Sequence, residues 1–481
     1  MTLWDRLCRR RERDKWASRL HIVKPEVHLG LPTLDEATAL LYGKALPRST
    51  MMPRPDADRE PVNHWMRLSK GVERRFRPGQ IMLGKLARTP LGHLDDRPMV
   101  TIAGARAGKT STVLEPNLYL YPGSMVVLDP KAELAKRTAA IRTLLGHQVY
   151  VLDPFRQSGV PSASFNVMAE LDPASEMIVD DVAAITQAII VDEGDTRNKH
   201  WNDSARTLLL GIMLFTLTLP PEERHLITVR ELLNLTYKGL IEALRAAPNA
   251  PSDEDFYMEN RAAVESLLLT MATAGEKFQG ILAAVGRRFL NTPPNERGSI
   301  FSTAAAQTDF LDSLPLRTIS KQGQFRLAAL AGDQPTTIYL CLPVGRMESH
   351  YRWLRMIVQQ ACTTLERLGT YPRHKPRILF LMEEFPVLGH MDIMERAAAY
   401  FPGFGVTLWS IIQDITQLKC HYDKGWETFL GNAGVVQCFS NSDQATLDYM
   451  ASRMENLIRP FELRTAFSRN DTGQVLMFEG E

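Results

Sequence analysis

The sequence predicts an α/β fold, a mainly parallel sheet flanked by helices, with an all-α domain inserted into it. Three observations predict this. After Ile81, short runs rich in Val, Ile and Leu alternate with helix-length segments whose apolar residues recur at three- and four-residue spacing. The short runs are apolar on both faces, as buried parallel strands are. The alternation breaks once, between Asp153 and Thr336, where successive amphipathic helices are expected. Composition permits such a chain: 481 residues, 44% hydrophobic, 23% charged, with 56 Lys plus Arg against 55 Asp plus Glu for a net charge of +1. That balance excludes a disordered chain and a polybasic nucleic-acid arm, although a locally basic groove stays possible.

Taken in order, residues 1–20 carry seven basic residues, three acids and apolar Leu3, Trp4, Leu7, Trp16 and Leu20. They read either as a basic amphipathic helix for an anionic surface or as a solvated terminus. Leu46 to Pro61 is Pro-rich and polar, and reads as a linker. The expected layout is a basic segment and linker over 1–80, a first nucleotide-binding part over 81–165, the inserted all-α domain over 166–315 and a second nucleotide-binding part over 316–481. Strands are expected at Pro98–Ala103, Ser124–Asp129, Gln148–Asp153, Thr336–Leu342, Arg377–Glu383, Val406–Ile412, Val435–Phe439 and Gln474–Phe478. The longest apolar stretch, Leu208 to Leu219, is about half of the roughly 20 residues a spanning helix needs and ends at Pro220-Pro221, so no transmembrane span is expected. The charged N-terminus does not resemble a signal peptide, which places the chain in the cytosol. The five cysteines are dispersed, without metal-ligand spacing, and are expected to be buried thiols.

The sharpest chemical signal follows the apolar run Met99–Ile102: Ala103-Gly104-Ala105-Arg106-Ala107-Gly108-Lys109-Thr110. A loop of this kind wraps backbone N–H groups around a phosphate, aims its Lys at the outer phosphates and offers its Thr hydroxyl to Mg²⁺. Ala103 stands where the motif wants Gly, which is tolerable if its φ stays strand-like. The alternative is a chance Gly-Lys-Thr at a strand end. The second signal is Glu383-Glu384 after the apolar run Leu379–Met382, where one acid would serve Mg²⁺ and the other an attacking water. Gln413 closes the next strand and can contact the γ-phosphate or its water. Asp129 and Asp153 each end a strand before Pro; they, with Lys131, read either as rim residues of an α/β site or as helix caps.

These residues together carry a resemblance. Residues 101–110, Pro116-Asn117-Leu118, residues 123–133, residues 149–155, Phe165-Asn166, residues 380–386 with Leu388-Gly389, residues 411–418 and Trp426-Glu427-Thr428 resemble the TraG/TraD family of type IV secretion coupling proteins. The resemblance covers about residues 81–478. It implies a RecA-like P-loop NTPase with an inserted all-α domain, working as a hexameric ring at the cytoplasmic face of the bacterial inner membrane. Such rings use ATP and Mg²⁺ to deliver relaxosome DNA or effector proteins to the secretion channel. By position, Gly104, Ala105, Arg106, Ala107, Gly108, Lys109, Thr110 and Ser111 bind nucleotide, Thr110 and Glu383 hold the metal, and Lys109, Glu384 and Gln413 act in catalysis. Arg97 falls where the family often has an Arg near the nucleotide; a solvated Arg in a polar turn is the alternative. Four departures stand out: Ala103 for Gly, Glu383 for Asp, no N-terminal transmembrane hairpin, which puts membrane anchoring in doubt and leaves room for a membrane-anchoring partner, and no placed arginine finger. A soluble FtsK/HerA-like DNA translocase and a weakly hydrolysing recruitment adaptor are the rival readings. In the inserted domain, Trp201 is expected as a core anchor, while Arg287 and Arg288 are either solvated or line a DNA path.

Overall fold

The computed structural model describes residues 75–86, 89–192, 198–239, 242, 260–453 and 476–479. The expectations for residues 1–20 and for the linker at 46–61 therefore lie outside the described residues. Two strands, β1 (Ile81–Leu86) and β2 (Thr89–His93), form an antiparallel hairpin that the sequence did not suggest. Its residues disguise it: Gly84 breaks the register and Pro90 sits inside β2, both of which read as strand breakers.

The eight expected strands all form. They are β3 (Met99–Ala103), β4 (Met125–Leu128), β5 (Gln148–Leu152), β6 (Thr336–Leu340), β7 (Ile378–Met382), β8 (Val406–Ile412), β9 (Val435–Phe439) and β10 (Leu476–Glu479). They make one sheet in the order β10-β9-β3-β8-β7-β4-β6-β5. Seven strands are parallel, and β10 pairs antiparallel with β9 at the edge. Every residue of β3, β4, β6, β7, β8 and β9 is buried. That explains why these strands read as continuous apolar runs.

Helices α1 (Glu115–Leu120) and α2 (Glu133–Leu144) cover one face of the sheet. There Met125, Val127, Leu379, Leu381 and Trp409 pack on Leu118, Leu134 and Ala135. Between β5 and β6 the described residues hold no strand. They fold as α3 (Ile178–Ile189), α4 (Lys199–Thr216), α5 (Leu226–Leu233), α6 (Asn260–Ala272), α7 (Ile281–Asn291), α8 (Pro294–Gln307) and α9 (Leu314–Ile319), with short 3-10 turns. After β6 come α10 (Met347–Leu368), α11 (Asp392–Tyr400), α12 (Ile415–Tyr422), α13 (Trp426–Gly431) and α14 (Gln444–Arg453). The opposite sheet face, with Val126, Leu128, Phe380 and Leu408, shares one continuous core with α10 and with Ile185, Leu208 and Ile212 of the strandless stretch. The helical insertion is thus packed onto the sheet through α10.

No helix among the described residues is long and apolar enough to cross a membrane. Cys341, Cys362 and Cys438 are buried as expected. Cys420 is exposed, because it lies on the outward side of α12 between Lys419 and His421.

Candidate nucleotide site

The loop that leaves β3 owes its shape to a few backbone demands. Ala103 is the last residue of the strand and is not among the residues with positive φ, so Gly is not required there. Gly104 is required for a different reason: a Cβ on it would lie 2.6 Å from the carbonyl oxygen of Ser440. Arg106 (φ 59°) and Gly108 (φ 83°) turn the chain left-handed. The loop closes on itself as Ala107 N–H donates to the Gly104 carbonyl at 3.3 Å. The helix then opens with one wide turn, Thr110–Leu114, in which Glu115 N–H reaches back to the Thr110 carbonyl. Pro116 lacks an N–H and cannot continue ordinary pairing.

The ends of β7 and β8 bring Glu383, Glu384 and Gln413 to this loop. Thr110 Oγ1 donates to Glu383 Oε1 at 3.3 Å, and Lys109 Nζ lies 3.8 Å from Glu384 Oε2. Gln413 Nε2 donates to Glu384 Oε1 at 2.8 Å. Glu384 takes a left-handed backbone, φ 63° and ψ 47°, which costs a non-glycine residue about 1–2 kcal/mol and turns its carboxylate toward Lys109 and Gln413 rather than on along the strand. Burial raises the Glu383 carboxyl above its ordinary value; Lys109, the Thr110 hydroxyl and Lys131 oppose that rise, and Glu384 adds to it. A buried carboxyl beside a hydroxyl suits a hard divalent ion completed by phosphate and water oxygens. Among the described residues no three His, Cys, Asp or Glu side chains gather to hold a metal by themselves.

Strand register extends the acidic rim. Met382, Leu128, Leu340 and Leu152 are aligned across β7, β4, β6 and β5, so Glu383, Asp129, Cys341 and Asp153 follow each other along the sheet's C-terminal edge. Asp129 Oδ2 accepts from Ala135 N–H at 2.7 Å and caps α2 from below, while Oδ1 is buried without a partner. Asp129 thus serves the first turn of α2 without being the cap of a helix with Pro at its first position, because Ala132 precedes the helix and Glu133 begins it. Burial pushes Asp129 up to about 7, opposed by the Ala135 N–H and assisted by Glu383.

Residues 61–469 match the family of type IV secretory system conjugative DNA transfer proteins. The chain belongs to this family. It is 27% identical over 376 residues to the conjugal transfer protein TraG of Escherichia coli, covering 75% of the chain and 55% of the relative. It is 25% identical over 372 residues to the type IV secretion system-coupling protein VirD4 of Bartonella quintana, covering 74% and 52%. The chain thus spans about half the length of these relatives. Among solved structures, the plasmid coupling protein TrwB in complex with the ATP analogue ADPNP superposes with a TM-score of 0.59 at 13% identity, over 85% of the chain and 89% of TrwB. TrwB in complex with ADP and Mg²⁺ gives 0.59 at 12% identity, over 85% and 90%. The fold is the RecA-like P-loop fold of coupling proteins.

Within this coupling-protein fold the expected site residues converge, with one exception. Gly104, Ala105, Arg106, Ala107, Gly108, Lys109 and Thr110 form the loop itself. Ser111 Oγ turns back to the Gly108 carbonyl at 3.2 Å, beside Thr112 Oγ1 at 2.8 Å on the same oxygen. Arg97 is not part of the site. It precedes β3, whereas the loop follows it, so a five-residue strand, roughly 16 Å, separates them. There Arg97 pairs with Asp95 at 2.7 Å and packs against Gly434. Sequence reasoning missed the residues that hold Gln413: Gln417 Oε1 accepts its N–H at 2.8 Å, and Asn441 Nδ2 donates to its carbonyl at 3.1 Å. The i+4 spacing of Gln417 was a usable signal; Asn441 comes from a distant strand end. Outside the site, Trp201 packs on the core yet stays half-buried, and Arg287 and Arg288 are exposed on α7.

Proposed function

We propose that the chain is the ATP-hydrolysing motor of a type IV secretion coupling protein, assembling as a ring, with a hexamer as the expected size. It recruits DNA in a relaxosome, or an effector protein, and passes it to the secretion channel from the cytoplasmic face of the inner membrane. On this reading residues 81–165 and 316–481 form the motor and 166–315 the domain that meets substrate. A membrane partner would hold the ring in place. The observation that carries the proposal is the convergence of Lys109, Thr110, Glu383, Glu384 and Gln413 at the end of β3. The nucleotide and Mg²⁺ named with TrwB support ATP and Mg²⁺ here.

The residues divide the work. The loop N–H groups and Lys109 bind the phosphates, and Thr110 with Glu383 holds Mg²⁺, which when bound neutralises charge developing on the transferred phosphoryl group. Glu384 accepts a proton from the attacking water. Gln413, bonded to Glu384, orients that carboxylate and senses the terminal phosphate. The test is ATP turnover of purified protein over a concentration series, with and without single- and double-stranded DNA, beside Lys109→Ala and Glu384→Gln. Turnover that needs Lys109 and rises with concentration and DNA supports the motor. Nucleotide binding without turnover under every condition overturns it in favour of the recruitment adaptor.

A further inference from the structure

The turn that follows Glu384 is held by an arginine from another element. Arg355 of α10 is 4% exposed and donates to the carbonyls of Leu388 and His390, the latter at 2.7 Å. Tyr422 Oη donates to the carbonyl between them, that of Gly389, at 3.3 Å. Three successive carbonyls four to six residues beyond Glu384 are therefore all claimed. The same guanidinium reaches a second element: Arg355 Nε donates to the Ala188 carbonyl in the last turn of α3 at 3.0 Å. A helix C-terminus leaves such carbonyls unpaired and favours a cation there.

From α3 the contacts run on. Gln307 of α8 clasps the backbone of Val191, accepting from its N–H at 3.2 Å and donating to its carbonyl at 3.4 Å. Arg352, one turn before Arg355 on α10, donates to Gln307 Oε1 at 3.0 Å. Val191 and Gln307, with Trp201, Asn202, Ser302 and Thr303, line a cavity of about 330 Å³ between α4 and α8. Two sites in different parts of the fold thus bear on one rigid helix through two arginines.

We propose that Arg355 is a positioning residue that fixes the turn carrying Glu384 and transmits its placement through α3 and Gln307 to the cavity at Trp201. The inference rests on the nucleotide reading above. A lysine could not replace this arginine, because a single ammonium cannot span three carbonyls on two elements with the geometry of a guanidinium.

Hydrogen exchange of the full chain, with and without a non-hydrolysable ATP analogue and Mg²⁺, tests this. In the wild type, bound analogue protects residues 104–112 and also changes exchange at 385–390 and, farther off, at 188–192 and 302–307. Arg355→Lys keeps the protection at 104–112 and loses the change at both distant segments, and its kcat for ATP falls at unchanged KM. Gln307→Ala, a half-buried position that spares the core, keeps the response at 385–390 and loses it at 302–307. A response at 188–192 that persists in Arg355→Lys, or its absence from wild type with 104–112 protected, overturns the coupling. If Arg355→Lys does not fold, Gln307→Ala decides, and an unchanged response at 302–307 overturns it. No protection at 104–112 in wild type would instead remove the nucleotide reading itself.

Discussion

A methyl group separates Ala103 from the glycine that phosphate loops commonly carry, and the structure shows why it is tolerated. Its side chain is wholly buried at the end of β3, among residues of the α1 and α2 face. Ala103→Gly is expected to lower stability by about 0.5–1 kcal/mol, through chain entropy and lost packing, and to leave ATP affinity unchanged. Gly104→Ala should do the reverse of a neutral change, since its Cβ would meet a backbone oxygen that no rotamer can move. Denaturation midpoint and ATP affinity should both fall, as measured by urea unfolding and by titration with a fluorescent analogue. At Glu384 geometry and chemistry can be separated. Glu384→Gln keeps an oxygen to accept from Gln413, so analogue affinity should hold, while turnover falls by about 10²–10⁴-fold for want of a base. Equal turnover in that variant would assign the proton to another group.

Elements are joined here by buried polar side chains that no local pattern announces. Arg142 of α2 is fully buried and donates to the carbonyls of Leu118, Tyr121 and Gly123 at 3.2, 2.6 and 2.9 Å, and to Thr337 Oγ1 at 3.0 Å. One guanidinium thereby fastens the end of α1, the entry to β4 and the start of β6. Burial lowers it to about 10, so it remains charged at neutral pH. Arg142→Met fills similar volume but strands three carbonyls, and should cost about 3–5 kcal/mol in urea unfolding. A loss below 1 kcal/mol would mean that water replaces the guanidinium. Asn117 plays a like part for the hairpin, bonding Met82 through both its backbone groups at 2.8 and 2.7 Å. In the sequence, Asn117 was visible only as part of a family motif, and no spacing or motif marks Arg142. Spacing encodes which face a residue shares with its neighbours; it does not encode which distant carbonyl lacks a donor.

For the molecule as a whole, the strands were legible because both faces of the sheet are covered, which forces unbroken apolar runs such as Leu379–Met382. The loop, Glu383-Glu384 and Gln413 were legible because each sits where such a run stops. Of the two readings of Arg97, the polar-turn one fits its ion pair with Asp95, at the end of β3 away from the loop, because opposite ends of a strand lie close in sequence and far apart in space. The same burial sets how stability depends on pH. His147 accepts from Arg142 at Nδ1, at 3.0 Å, and burial together with that cation lowers it to about 3. Folding therefore keeps it neutral, and the stability it contributes is lost as pH falls from 6.5 toward 3. Asp129 acts in the opposite sense. Raised to about 7 from 3.8, it favours the folded state at low pH, and that contribution is lost as pH rises through 7. Each group contributes a slope of up to about 1.4 kcal/mol per pH unit, so between 3.8 and 6.5 the two oppose each other. Asp129→Asn keeps the acceptor for Ala135 N–H and removes the titration. Its stability relative to wild type should rise with pH across that window, by up to about 1.4 kcal/mol per unit, in urea unfolding at pH 4.5, 5.5 and 6.5. A difference that stays constant over those three values would mean that Asp129 is already ionised in the folded protein, with its buried Oδ1 paired to a cation or to water.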